Sequence, residues 1–143
     1  MKLTSFTDYS MRVLLFAASN GNKLSSIREV SEAHNISSNH LMKVVHHLGK
    51  GGYLETIRGK NGGFRLGMMP KDIIVGELIR YTEEELEIVN GINEDNNEFD
   101  VSNNASFATV MKGSLDAFFE VADSYTLADL INDERPVPID VAS

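Results

Sequence analysis

The sequence predicts a mainly α-helical chain carrying one small β-hairpin. Three observations predict it. Two short helical patterns, after Ser26 and after Ser37, meet at a tight break around Asn35. A glycine-rich stretch, GKNGG at 59–63, separates two runs of strand-forming residues. Helical spacing then returns late in the chain, at Phe107, Met111, Leu115, Phe118 and Ala122. Helix, turn, helix and hairpin in that order describe a winged helix-turn-helix, here followed by a long C-terminal helix.

In chain order, Ser5-Phe6-Thr7-Asp8 is a candidate capping box for a first helix, with Phe6, Tyr9, Val13, Phe16 and Ala17 at helical spacing. This helix is expected to pack behind the helix-turn-helix and to end at Asn20-Gly21-Asn22. Ser26 with Glu29 forms a second capping box, in which each side chain satisfies a backbone donor at the helix start. Ile27, Val30 and Ala33 follow, and Asn35 is the expected stop because Asn tolerates a left-handed conformation. Ser37 or Ser38 caps the next helix. Leu41, Val44, Val45 and Leu48 form its apolar stripe at i, i+3, i+4, i+7. Its other side carries Asn39, His40, Lys43, His46, His47 and Lys50, with no acid. Gly49, Gly51 and Gly52 end it.

Tyr53 to Arg58 and Phe64 to Leu66 are the expected strands, and Asn61-Gly62 is expected to supply the positive φ angles of the hairpin. Ile74, Leu78 and Ile79 predict a fourth helix. Glu83-Glu84-Glu85 reads as a solvated acid cluster, Leu86 to Val89 as a short apolar segment, and 91–104 as a polar loop. Thr126 and Asp129 cap a final turn, and Pro136 and Pro138 mark a frayed tail. The expected organisation is a DNA-binding domain at 1–80, a connector and acidic loop at 81–104, and a dimerisation helix and tail at 105–143.

The chain of 143 residues is long enough for one domain with a real core. Its apolar runs are far shorter than the ~20 residues of a membrane span, and it opens on no signal-peptide pattern. It contains no cysteine, which excludes a disulfide framework and fits a cytoplasmic protein. The net charge is −8 but unevenly spread. Residues 1–70 carry nine Lys and Arg against four acids, and the remainder carries four against seventeen. Screening limits electrostatic attraction to ~8–10 Å, so a basic half can bind phosphate while an acidic half keeps the protein soluble.

These features predict a sequence-specific, homodimeric DNA-binding transcriptional regulator. Ser38, Asn39, His40 and Lys43 occupy the first turns of the second helix, the part that meets base edges in the major groove. Arg58, Lys60 and Asn61 at the hairpin tip are expected on the backbone or in the minor groove. Ser26 is a candidate phosphate contact at a helix N-terminus, and Arg12 lies off its helix's apolar stripe as another. Phe107, Met111, Leu115, Phe118 and Ala122 are the expected dimer interface, because this apolar face is more than one small winged helix needs; the alternative is a helix packed back on its own domain. The dimer is expected to read a two-fold-symmetric double-stranded operator. The alternative is a winged-helix protein-interaction module that does not bind DNA. No nucleophile or phosphate-loop motif supports an enzyme. The histidines do not pair at metal-binding helical spacing, since His40 and His47 are seven apart.

The segments LTSFTDYSMRVLLFAAS, SSNHLMKVVHHL, RGKNGGFRLG and YTLADLI resemble the Rrf2-type winged-helix regulators, nearest their nitric-oxide-sensing branch, with the iron–sulfur-biogenesis regulators more distant. That resemblance implies an iron–sulfur cluster held by three loop cysteines and an acid of the first helix. Asp8 matches the acid. Gly91, Asp100 and Ala105 stand near the cysteine positions. Clusters are held chiefly by thiolates, so no cofactor and no metal site is expected here, and Asp8 is expected to serve its helix start instead.

Overall fold

Local capping chemistry starts three of the helices. The computed structural model describes residues 2–86 and 105–132. It is mainly α with a two-stranded antiparallel hairpin. The order is α1 (Ser5–Ser19), α2 (Ile27–His34), α3 (Ser38–Lys50), β1 (Leu54–Ile57), β2 (Gly63–Leu66), a 3-10 turn (Pro70–Asp72), α4 (Val75–Thr82), α5 (Ala105–Asp123) and α6 (Leu127–Asn132). The expected Ser26–Glu29 box starts α2, and Asn35 ends it at φ 54°, in the left-handed region. Of the two serines left open, Ser37 caps α3 by accepting from the His40 N–H. Thr126 and Asp129 bond reciprocally at the start of α6. The expected loop at 91–104, most of the apolar segment before it, and the proline-marked tail lie outside the described residues.

The main core lies where α1 crosses α2, α3 and the hairpin. Val13, Leu14, Ala17, Val30, Leu41, Val44, Leu48, Tyr53 and Phe64 are buried there. Each fully buried large apolar side chain contributes about 1.5–3 kcal/mol. The whole predicted stripe of α3 is inside, so the side opposite it is turned outward. Ser25 extends the hairpin by pairing with Phe64, N–H to carbonyl both ways at 2.8 and 2.9 Å. That bridge ties the entry of α2 to the second strand.

A second, smaller core joins α4 to α5 through Ile79, Leu115, Phe119 and Ala122. Arg80 reinforces it. Its guanidinium donates to both carboxylate oxygens of Asp123, at 2.7 and 3.0 Å, and lies 3.9 Å from the Phe119 ring centre. Gly76 leaves room for that carboxylate, which a Cβ there would strike. α6 returns to the first core: the Leu127 N–H donates to the Ile73 carbonyl at 2.8 Å, and the Leu127 side chain is buried among first-core residues. Packing is therefore continuous from α1 through α6 among the described residues.

This arrangement turns two residues of the expected interface inward. Leu115 is 1% exposed and Ala122 is buried, both against their own chain. They have no surface left for a second copy. Met111 and Phe118 are partly covered, and Phe107 is exposed. The spacing of apolar residues along α5 was legible, but two stripes share that helix, and only the position of Ile79 decides which one is covered.

Leu115→Ala should therefore lower the free energy of unfolding in urea by about 2–5 kcal/mol. Glu120→Ala, at an exposed position of the same helix, should stay within about 0.5 kcal/mol of the parent. The Arg80 hydrogen bonds hold the Asp123 carboxyl below its ordinary range. A depressed folded-state value contributes stability that is present above the unfolded value and lost as pH falls through the folded one. Thermal melts of Arg80→Gln should consequently show a shallower loss of stability between about pH 5 and pH 2 than the parent.

Candidate nucleic-acid interface

Burial of Leu41, Val44, Val45 and Leu48 leaves Ser38, Asn39, His40, Lys43, His46 and Lys50 exposed on α3. Asn39, Lys43, His46 and Lys50 are spaced i, i+4, i+7, i+11 and share one face. His40 stands at its edge, its ring 6.1 Å from that of Tyr9. Among the described residues no ion pair engages Lys43 or Lys50. A sequence feature the apolar pattern concealed is Met42, on the same face and 56% exposed.

His47 departs from expectation. Its ring stacks on Tyr81 with centres 4.2 Å apart and meets the edge of Phe6 at 5.4 Å. Its Nε2 lies 3.0 Å from the Tyr81 carbonyl oxygen, which can only accept, so Nε2 carries the proton. The Tyr81 hydroxyl donates to the His47 carbonyl at 2.7 Å. This reciprocal pair fastens the C-terminal half of α3 to α4 and takes His47 off the helix's outward face.

The hairpin pairs Glu55 with Arg65 across its strands. Arg65 Nε donates to Glu55 at 2.8 Å, and the Glu55 carboxyl is held below its ordinary range by that bond and that charge. Arg65 thus braces the wing, while Arg58, Lys60 and Asn61 stand exposed at its tip. The turn is built differently from the expected one. Gly59 takes the positive φ, at 112°, and the Gly62 N–H donates to the Gly59 carbonyl at 3.0 Å. Asn61 and Gly62 do not have positive φ. Gly62 is required by space, since a Cβ would strike the Ile57 carbonyl.

Ser26 is occupied by its own capping box: its hydroxyl accepts from the Glu29 N–H at 3.1 Å and its N–H donates to Glu29 at 3.2 Å. Only the donors between them remain for a phosphate. Arg12 is exposed and paired with Asp8 at 2.9 Å. The Ser5–Asp8 box does not form. Thr4 is the N-cap of α1, without a side-chain cap of its own. The stabilising carboxylate comes from Glu83, expected in solvent but only 8% exposed. Glu83 Oε1 accepts from the Thr4 N–H at 2.7 Å, the Thr4 hydroxyl at 3.1 Å and the Thr7 hydroxyl at 2.6 Å. It is the first of three consecutive glutamates, so no local pattern singled it out.

Residues 3–133 match the Rrf2 family, described as an iron-dependent transcriptional regulator. The chain belongs to that family. It is 48% identical over 132 residues to the HTH-type transcriptional regulator NsrR of Bacillus licheniformis, covering 92% of each chain. It is 46% identical over 138 residues to NsrR of Bacillus subtilis, covering 96% of this chain and 94% of that one. Among solved structures it is similar to a transcriptional regulator of Listeria innocua, with a TM-score of 0.79, 26% identity, and 98% and 92% of the two chains covered. IscR of T. potens superposes with a TM-score of 0.74 at 28% identity, over 94% and 89%. The Rrf2 chain described here is thus a DNA-binding transcriptional regulator with a winged-helix fold. Its family and relatives are named as regulators, not as enzymes. No helix among the described residues is long and apolar enough to cross a membrane.

The residues present do not fit the family's cluster. The chain has no thiol, Gly91 and Ala105 offer no side-chain donor, and Asp8 is engaged by Arg12. Asp100 lies outside the described residues. Glu83→Ala should remove the acceptor shared by the Thr4 N–H and the Thr4 and Thr7 hydroxyls, costing about 1–3 kcal/mol in all. Urea denaturation measures this; a loss of less than about 0.5 kcal/mol would return Glu83 to the class of solvated acids.

Proposed function

We propose that this regulator is a homodimeric repressor that occupies a two-fold-symmetric operator through α3 and the wing, with no iron–sulfur cluster. One observation carries the reading: the outward face of α3 and the wing tip form a basic surface without a single acid paired to it among the described residues. Asn39 can make paired hydrogen bonds to adenine, and Lys43 can donate to guanine. Arg58, Lys60 and Asn61 contact the backbone or minor groove, where less sequence information is available. A dimer sets two such units one or two helical turns apart, each turn ~34–36 Å. Occupying such a site blocks transcription without further chemistry from the protein.

The dimer surface supported by the packing is the outer stripe of α5. Phe107, Val110, Ser114, Ala117 and Val121 are exposed and spaced at helical intervals on the side away from Ile79. Met111 and Phe118 flank this stripe, whereas Leu115 and Ala122 face Ile79.

Val110→Asp with Val121→Asp would desolvate carboxylates in that contact, which is strongly unfavourable. Sedimentation should then give a monomer whose circular dichroism is unchanged, and a persisting dimer would place the interface elsewhere. Asn39→Ala should lose about 1–3 kcal/mol at particular base pairs in a panel of single-base operator variants. Lys60→Ala should weaken every sequence alike and lower the salt slope by about one unit. Absence of any specific duplex for the parent protein, at every salt concentration, would overturn operator reading in favour of a protein-interaction module.

A further inference from the structure

One face of α3 carries Asn39, Met42, Lys43, His46 and Lys50, all exposed, at i, i+3, i+4, i+7 and i+11. Four of the five are polar or basic. Met42, in their midst, is 56% exposed. A single exposed apolar residue usually needs no explanation. Met42 differs by where it sits. It belongs to an open cleft of about 600 Å³ between α3 and the wing. Ile27, Met42 and Thr56 supply apolar surface there, and His46, Lys50 and Arg58 supply the basic rim. Thr56 faces α3 near Gly49, whereas its neighbour Glu55 is turned to Arg65 on the other side of the hairpin. The cleft lining therefore contains no acid.

A basic rim around an apolar surface selects a ligand that is anionic at its edges and apolar where it meets the helix. One strand of duplex DNA in the major groove has that character. Phosphates run along its border, and the apolar group on its base edges is the C5-methyl of thymine. A thioether donates no hydrogen bond and accepts only weakly, so Met42 cannot read the polar groups of any base. Its flexible, polarizable chain can cover a methyl group whose position varies slightly.

We propose that Met42 is a specificity-determining residue that reads a thymine methyl, while His46, Lys50 and Arg58 hold the flanking phosphates of the same strand. The proposal rests on the operator-binding reading above and names a feature of that operator. Met42 tells thymine from cytosine and uracil at its position. Asn39 and Lys43 read neighbouring polar edges by hydrogen bonds.

The test uses the full-length protein and a duplex recovered from a random-sequence pool by selection on that protein. Each thymine is replaced in turn by deoxyuridine, which removes the methyl and leaves base pairing intact. The parent should lose about fourfold in affinity at each position whose methyl touches Met42. Met42→Ala should bind the unmodified duplex more weakly and show no further loss at those positions. Met42→Leu, which keeps an apolar surface, should restore most of the sensitivity. Met42 is exposed, so neither variant should change the melting temperature. A parent that binds every deoxyuridine duplex as tightly as the unmodified one overturns the proposal. So does a Met42→Ala protein that keeps the full deoxyuridine penalties. Failure of selection to yield any specific duplex would instead overturn the operator reading.

Discussion

The outward face of α3 depends on one buried seam, the apolar stripe of that helix laid against α1 and α2. Leu41, Val44, Val45 and Leu48 cannot rotate outward without exposing apolar surface worth about 1.5–3 kcal/mol for each large side chain. The seam therefore fixes the rotation of α3, and with it the set of side chains that faces outward. Ser37 at the start and the His47–Tyr81 clasp near the end fix where the helix begins and how its C-terminal half is held.

α4 is the junction between the DNA-reading part and the long helix. On one side Tyr81 grips His47 of α3. On the other, Ile79 and Arg80 grip α5 through Leu115, Phe119 and Asp123. Glu83, just beyond α4, satisfies the first donors of α1. Three helices distant in sequence are thus registered against eight residues and the acid that follows them. The contacts are hydrogen bonds and interlocked rings with narrow geometric tolerance, so α3 and α5 are held in a fixed relation through short, rigid connections.

Charge is divided in the same spirit. The basic side chains of α3 and the wing tip stand apart from the pairs that hold the fold, since Arg65, Arg80 and Lys112 have acids of their own. Arg12, paired with Asp8, belongs to both groups, being exposed and beside α2 through His34. Of the acids of the later half, Glu83, Glu84 and Glu85 gather beside His47, and none lines the cleft beside Met42.

The sequence by itself determined the elements whose information is local. The α2 capping box, the Asn35 stop, the α3 stripe and the place of the hairpin were legible, because caps and helical periodicity act within a few residues, whereas the positive φ of the turn fell at Gly59 and not at Asn61-Gly62. The acid-free face of α3 was legible for the same reason, as was the lack of thiols for a cluster. Only the tertiary structure decided which like-looking residue does which job. Glu83 and Glu84 are neighbours of one chemistry, yet one is buried on Thr4 and Thr7 and the other is exposed. His46 and His47 differ in the same way. Two apolar stripes on α5 were indistinguishable until α4 covered one. Gly62 was legible as a turn glycine, but the Ile57 carbonyl that requires it is reached only when the strands pair. In each case the deciding partner is remote in the chain or set by pairing, and burial by a distant group leaves no periodic mark in the sequence.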